Sequence, residues 1–153
     1  MTDVDTPTGL TLERLLPAPP ERVWAALTEP GALAAWFWPA RMGTVASAEP
    51  RQGGRYRIDA TAAGMAVSGE YLTVEPPALL VFTWRWDGEP DETVVTIALS
   101  PQEGGTRLRL RHDRFGDPEH ADRHRTGWTD CLDRLPGWLA AGAGGTPDGT
   151  TGT

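Results

Sequence analysis

Apolar positions repeat with a period of two along most of this chain and with a period near 3.6 at its far end. From residue 117 to about 141 they fall at Ala121, Trp128, Cys131, Leu132, Leu135, Trp138 and Leu139. Spacings of three, four and seven place them on one stripe of a helix. Asp117-Pro118-Glu119 is a helix start, with a capping carboxylate, proline in the first turn and an acid beside it. Pro136 lies inside the pattern, and proline removes one backbone hydrogen bond at a cost of roughly 3 kcal/mol. The sequence therefore predicts a kink, or an end and restart, near Leu135. The N-terminal half, sparse and polar, carries only Ala121 and His124 toward the stripe.

Upstream, Leu10, Leu12, Leu15 and Leu16 suggest a first strand ending at Pro17. Pro19-Pro20-Glu21 opens a short helix with Val23, Trp24 and Leu27 on its apolar side, closed by Pro30. A second short helix, residues 31–36, stops before Pro39. The three rings of Trp36-Phe37-Trp38 cannot share one helix face, so at least one points elsewhere. Strand patterns then follow at residues 44–48, 55–60, 65–75, 79–86, 93–100 and 106–112, separated by Gly- and Pro-rich turns. Such turns are too short for parallel crossovers, so the sheet is mostly antiparallel, with one wet and one covered face. Arg107, Arg109 and Arg111 alternate with Leu108 and Leu110 and belong on the wet face, with Arg114 just beyond.

At 153 residues the chain is read as one domain over residues 10–141, with a flexible N-terminus at 1–9 and a disordered tail at 142–153. A net charge of −7 argues against nucleic acid and anionic membranes as partners. One cysteine excludes an internal disulfide, no apolar run approaches a membrane span, and residues 1–9 lack a secretion signal. The expected location is the cytoplasm. Seven tryptophans against three phenylalanines are unusual, and indoles that fill a core can equally line an aromatic pocket.

A set of segments in fixed order carries a resemblance: PAPPERVWAALTEPGALAAWF (17–37), GGRYRI (53–58), GEYLTVEPPALLVFTWRW (69–86), GGTRLRLRH (104–112) and GWTDCLDRL (127–135). Over residues 10–140 the chain resembles the START-like, helix-grip superfamily (SRPBCC). Within it, the chain is similar to the branch containing the C-terminal domain of the activator of heat-shock-protein-90 ATPase. The resemblance implies an α+β helix-grip fold. In it a curved sheet of six to seven strands wraps a long C-terminal helix, with two short helices after strand 1. It also implies a cavity between helix and sheet, but no single activity.

That cavity would gather Trp36 and Phe37 from the short helices with Tyr56 and Tyr71 from two strands. Phe82, Trp84 and Trp86 would join from a third strand, and Trp128 from the long helix. His112, in phase with Leu108 and Leu110, points inward, as does His124; with the tyrosines they are the polar groups of a ligand site. A metal is not expected. His120 and His124 sit about 6 Å apart along the helix axis and Cys131 about 10 Å further. Zinc bonds of about 2.0–2.3 Å cannot join all three. No other cofactor and no nucleophilic serine motif is visible.

The leading reading is a non-enzymatic domain holding an apolar, aromatic or lipid-like molecule, in stress response or natural-product resistance. A second is a polyketide cyclase or aromatase, with His112 and Tyr56 or Tyr71 moving protons. A third is a co-chaperone-like interaction module, although no chaperone-contact motif or accompanying N-terminal domain is visible. The resemblance also admits a self-sacrificing resistance protein cleaved at a glycine such as Gly127, but glycine is too frequent here to single one out. A monomer or a homodimer would serve any of these readings.

Overall fold

A computed structural model describes residues 9–144. It places β1 at Leu10–Leu16, α1 at Pro20–Thr28 and α2 at Pro30–Trp36, followed by a 3-10 turn at Ala40–Met42. Then come β2 (Thr44–Ala48), β3 (Arg55–Ala60), β4 (Met65–Glu75), β5 (Leu79–Trp86), β6 (Thr93–Gln102) and β7 (Gly105–Asp113). The long helix α3 (Pro118–Gly144) closes the described chain. All seven strands form one antiparallel sheet in the order β1-β7-β6-β5-β4-β3-β2, curved over α3. Sequential hairpins from β2 to β7 are what the short turns dictate, and β1 completes the sheet beside β7.

The strand period sets the buried face. Val95, Ile97 and Leu99 of β6 lie opposite His112, Leu110 and Leu108 of β7, and Leu80 and Phe82 of β5 lie opposite Ile97 and Val95. All are buried, and α3 covers them with Leu132, Leu135 and Leu139. Arg107, Arg109 and Arg111 project from the other face of β7, where Arg111 pairs with Asp113 at 2.8 Å and Arg109 faces Glu13 at 3.9 Å. Arg114 leaves the strand in the left-handed region, at φ 76°. Among the described residues no helix is long and apolar enough to cross a membrane.

Of the kink or end-and-restart expected near Leu135, the end and restart needs correction: the long helix continues through Pro136 to Gly144, so residues 142–144 are helical. Leu135 and Leu139 are both fully buried. Burying each is worth about 1.5–3 kcal/mol, enough to offset the missing hydrogen bond and keep the segment on the sheet. The expected flexible N-terminus and disordered tail otherwise fall on residues 1–8 and 145–153, outside the described residues. The helix start is as expected: the Asp117 carboxylate accepts from the His120 backbone N–H at 2.7 Å.

Where β4 passes β5, Gly69 meets the backbone so closely that a Cβ there would lie 2.0 Å from the Thr83 carbonyl oxygen. The same carbonyl accepts the Tyr56 hydroxyl at 2.6 Å, which locks β3 to β5 across the glycine.

Candidate functional site

Among the described residues, two spaces between the sheet and the helices differ greatly in size. The deep one, bordered by Tyr56, Tyr71, Phe82 and Ile97, has only about 30 Å³ of room, comparable to one water molecule. The second is an open cleft of about 520 Å³ between the end of β5, the α2–β2 connection and the N-terminal half of α3. Its walls are Phe37, Trp38, Met65, Trp84, Trp86, Trp128 and Cys131, and its polar rim is Asp87, Glu89, His120, Arg123 and His124. Phe37, Trp84 and Trp128 border both spaces and form the wall between them.

The expected site residues therefore divide. Phe37, Trp84, Trp86, His124 and Trp128 meet at the cleft. Tyr56, Tyr71 and Phe82 meet around the small void as a mutually packed trio, with centroids 5.2–6.2 Å apart. Burial pushes the Tyr71 hydroxyl up to about 12 and the Tyr56 hydroxyl well above its ordinary value, so neither phenol is a base near neutral pH. Trp36 and His112 border neither space. The Trp36 indole turns toward α1 and donates to the Ala26 carbonyl at 2.8 Å. Of the three consecutive rings, this is the one that points elsewhere.

His112 is fully buried, and its two nitrogens are both engaged. An indole N–H can only donate, so Trp128 Nε1–H, 2.9 Å away, requires a bare His112 Nδ1. The proton then sits on Nε2 and points to Thr93 Oγ1 at 2.7 Å, and Thr93 in turn donates to the Trp84 carbonyl at 3.2 Å. The result is one directional chain from α3 through β7 and β6 to β5. Burial, and secondarily the nearby His124 and His120, hold the imidazole well below its usual range and neutral. As a proton shuttle, His112 would have to break this chain and reach a cleft that it does not border.

His124 shows the same logic with the tautomer reversed. Trp86 Nε1–H donates to its Nε2 at 2.9 Å, and its Nδ1–H donates to the His120 carbonyl at 3.0 Å. All three histidines pack around Phe115, with ring centroids 4.3, 4.7 and 5.2 Å from it. Cys131 is buried, and burial pushes its thiol up to about 12. Among the described residues no group of three His, Cys, Asp or Glu is placed to hold a metal ion.

Sequence reasoning missed Trp38, Met65 and Arg123 as wall and rim. It also missed Arg134, one turn beyond Cys131 on α3. The Arg134 guanidinium donates to the Phe37 carbonyl at 2.7 Å and the Trp36 carbonyl at 3.2 Å, satisfying the open C-terminal end of α2. That clamp presents Phe37 and Trp38 to the cleft. A cation near a short helix that lacks its own basic last turn was the available signal, but only the fold reveals that the two meet.

Comparison with known proteins places this geometry. No curated protein matches the chain. A protein from Rhodobacter sphaeroides of solved structure is 32% identical, with 90% of this chain and 95% of that one covered at a TM-score of 0.74. DynU16, a protein in the dynemicin biosynthetic locus, is 28% identical, covering 87% of this chain and 47% of its own, at a TM-score of 0.76. An HSP90 activator from Plasmodium falciparum is 22% identical, covering 87% and 96% at a TM-score of 0.70, a likeness of fold alone. Residues 17–140 match the family described as activator of Hsp90 ATPase homolog 1-like protein, and the chain belongs to that family.

Proposed function

We propose that the cleft beside the N-terminal half of α3 binds a planar aromatic small molecule, and that the protein acts as a binding domain rather than an enzyme. One observation carries this reading: a cleft of about 520 Å³ flanked by indoles, with Trp38 and Trp86 nearly parallel at 17° and 6.1 Å between centroids. The volume is in the usual range for small-molecule sites, and flat aromatic faces favour a flat aromatic occupant. A lipid chain fits less well, because the space behind the cleft holds only about one water. An enzymatic role finds little support, since burial lowers both inward imidazoles and both nitrogens of each are engaged inside the fold. The neighbour in a biosynthetic locus supports a biosynthetic product as occupant. Acidic charge and the single cysteine support a cytoplasmic setting.

Family membership favours a second reading, a chaperone-interacting module, which a chaperone-ATPase stimulation assay addresses directly. For the first reading, 1-aminoanthracene and palmitate are titrated against intrinsic tryptophan fluorescence. Saturable quenching by the aromatic probe, weakened roughly 3- to 10-fold in Trp38→Ala through loss of one aromatic contact, is expected. Palmitate binding as tightly as the aromatic probe, or no saturable binding by any of a set of planar aromatics, would overturn it.

A further inference from the structure

The cleft has a bond across it. Trp86 ends β5 on one wall, His124 stands on α3 on the other, and the indole N–H reaches the imidazole Nε2 at 2.9 Å. Because the indole only donates, and the His124 Nδ1 proton is committed to the His120 carbonyl, a second proton has one place to go, which is Nε2. The imidazolium and the bond across the cleft are mutually exclusive.

We infer that the Trp86–His124 bond is a proton-operated latch, and that filling the cleft is linked to keeping His124 neutral, so that acid releases the occupant. This rests on the ligand-binding reading above. The latch matters because that half of α3 buries little of its own surface. Between residues 118 and 127 only Ala121 is buried, whereas Trp128, Cys131, Leu132, Leu135 and Leu139 anchor the rest. Its other ties include the Asp117 cap, a long 3.5 Å bond from Arg125 to the Thr11 carbonyl, and the packing of His124 on Phe115, His112 and Trp84.

The charges facing His124 come from several elements. His120 lies on its own helix at 4.8 Å between centroids, with Arg123 beside it, and His112 approaches from β7 at 5.3 Å. Asp87 and Glu89 reach the cleft from the loop after β5, and Asp87 is already paired with Arg57 at 2.6 Å. Burial, first, lowers the His124 imidazole below its usual range; the His120 carbonyl opposes this, while His120 and Arg123 reinforce it. An apolar occupant excludes further water from the ring and disfavours its charged form again. Affinity therefore falls as pH drops through the titration of the empty protein.

Nitrogen-15 NMR of the ligand-free protein, taken from about pH 8 to about pH 5, follows the His124 ring and the Trp86 indole together. A bare His124 Nε2 is expected at the upper end, with the Trp86 indole N–H shift and exchange protection lost at the midpoint of His124. Over the same range, while the far-ultraviolet circular dichroism is unchanged, the Kd of 1-aminoanthracene should rise by up to about tenfold per pH unit below that midpoint. His124→Gln, whose amide oxygen accepts from Trp86 at every pH, should flatten that ratio. A Trp86 indole signal that is indifferent to the His124 titration overturns the latch, whatever the probe does. A pH-independent Kd beside a titrating His124 overturns the linkage and leaves the binding reading standing. Absence of probe binding at the upper pH overturns the binding reading itself.

Discussion

Replacing His112 with leucine removes the centre of the chain that joins Trp128, Thr93 and the Trp84 carbonyl. Leucine keeps much of the volume but offers no acceptor, so the Trp128 indole N–H is left buried and unpaired. That costs about 1–3 kcal/mol, and loss of the bond to Thr93 about 0.5–1.5 kcal/mol more, for a sum of about 1.5–4.5 kcal/mol at about pH 8. The sign then changes with pH in a way that simple packing loss does not. His112 has a folded-state pKa depressed below its ordinary 6.5, so the stability it confers is complete above 6.5 and is lost as pH falls. At about pH 5.5 the unfolded chain takes up a proton that the folded chain refuses, which lowers wild-type stability by up to about 1.4 kcal/mol. The leucine variant has no such loss, and the contribution of His124 is common to both proteins. Urea unfolding followed by far-ultraviolet circular dichroism at both pH values, with equal m-values, should show the penalty shrinking by up to that amount in acid. A penalty equal at both pH values, or near zero at the upper one, would refute the assigned tautomer and chain.

Two further substitutions test the frame. Gly69→Ala would place a methyl group 2.0 Å from a backbone oxygen that has no rotamer to escape with, and should destabilise by at least about 3 kcal/mol; a loss under about 1 kcal/mol by thermal unfolding would deny that close approach. Pro136→Ala restores a backbone donor to an unbroken helix and should stabilise by about 1–3 kcal/mol, read as a raised Tm, whereas no gain would mean that the local backbone already compensates.

Much of the architecture is local and therefore legible in the chain. Alternation puts Val95, Ile97 and Leu99 on one face, short turns forbid parallel crossovers, and Asp117-Pro118 marks the start of α3 whatever surrounds it. The limit of that reasoning shows at Pro136, where a local penalty of about 3 kcal/mol is real but is outweighed by long-range burial of Leu135 and Leu139.

The lining of the cleft was legible in residue type and not in arrangement. Eight of its expected members were aromatic, and the chain does bring Phe37, Trp84, Trp86 and Trp128 to one cleft with His124. Which rings line space and which fill it depends on small differences between large packed volumes, and no periodicity encodes those. Trp36 was turned away by a single carbonyl on α1, and Trp38 was turned in by the grip of Arg134 on the end of α2. The sequence by itself determined the strands, the helices, the antiparallel sense of the sheet and the inward direction of His112 and His124. Only the tertiary structure decided that both imidazoles accept from indoles, because a hydrogen-bond partner some 16 or 38 residues away is set by the packing of α3 on the sheet and not by either residue's neighbours.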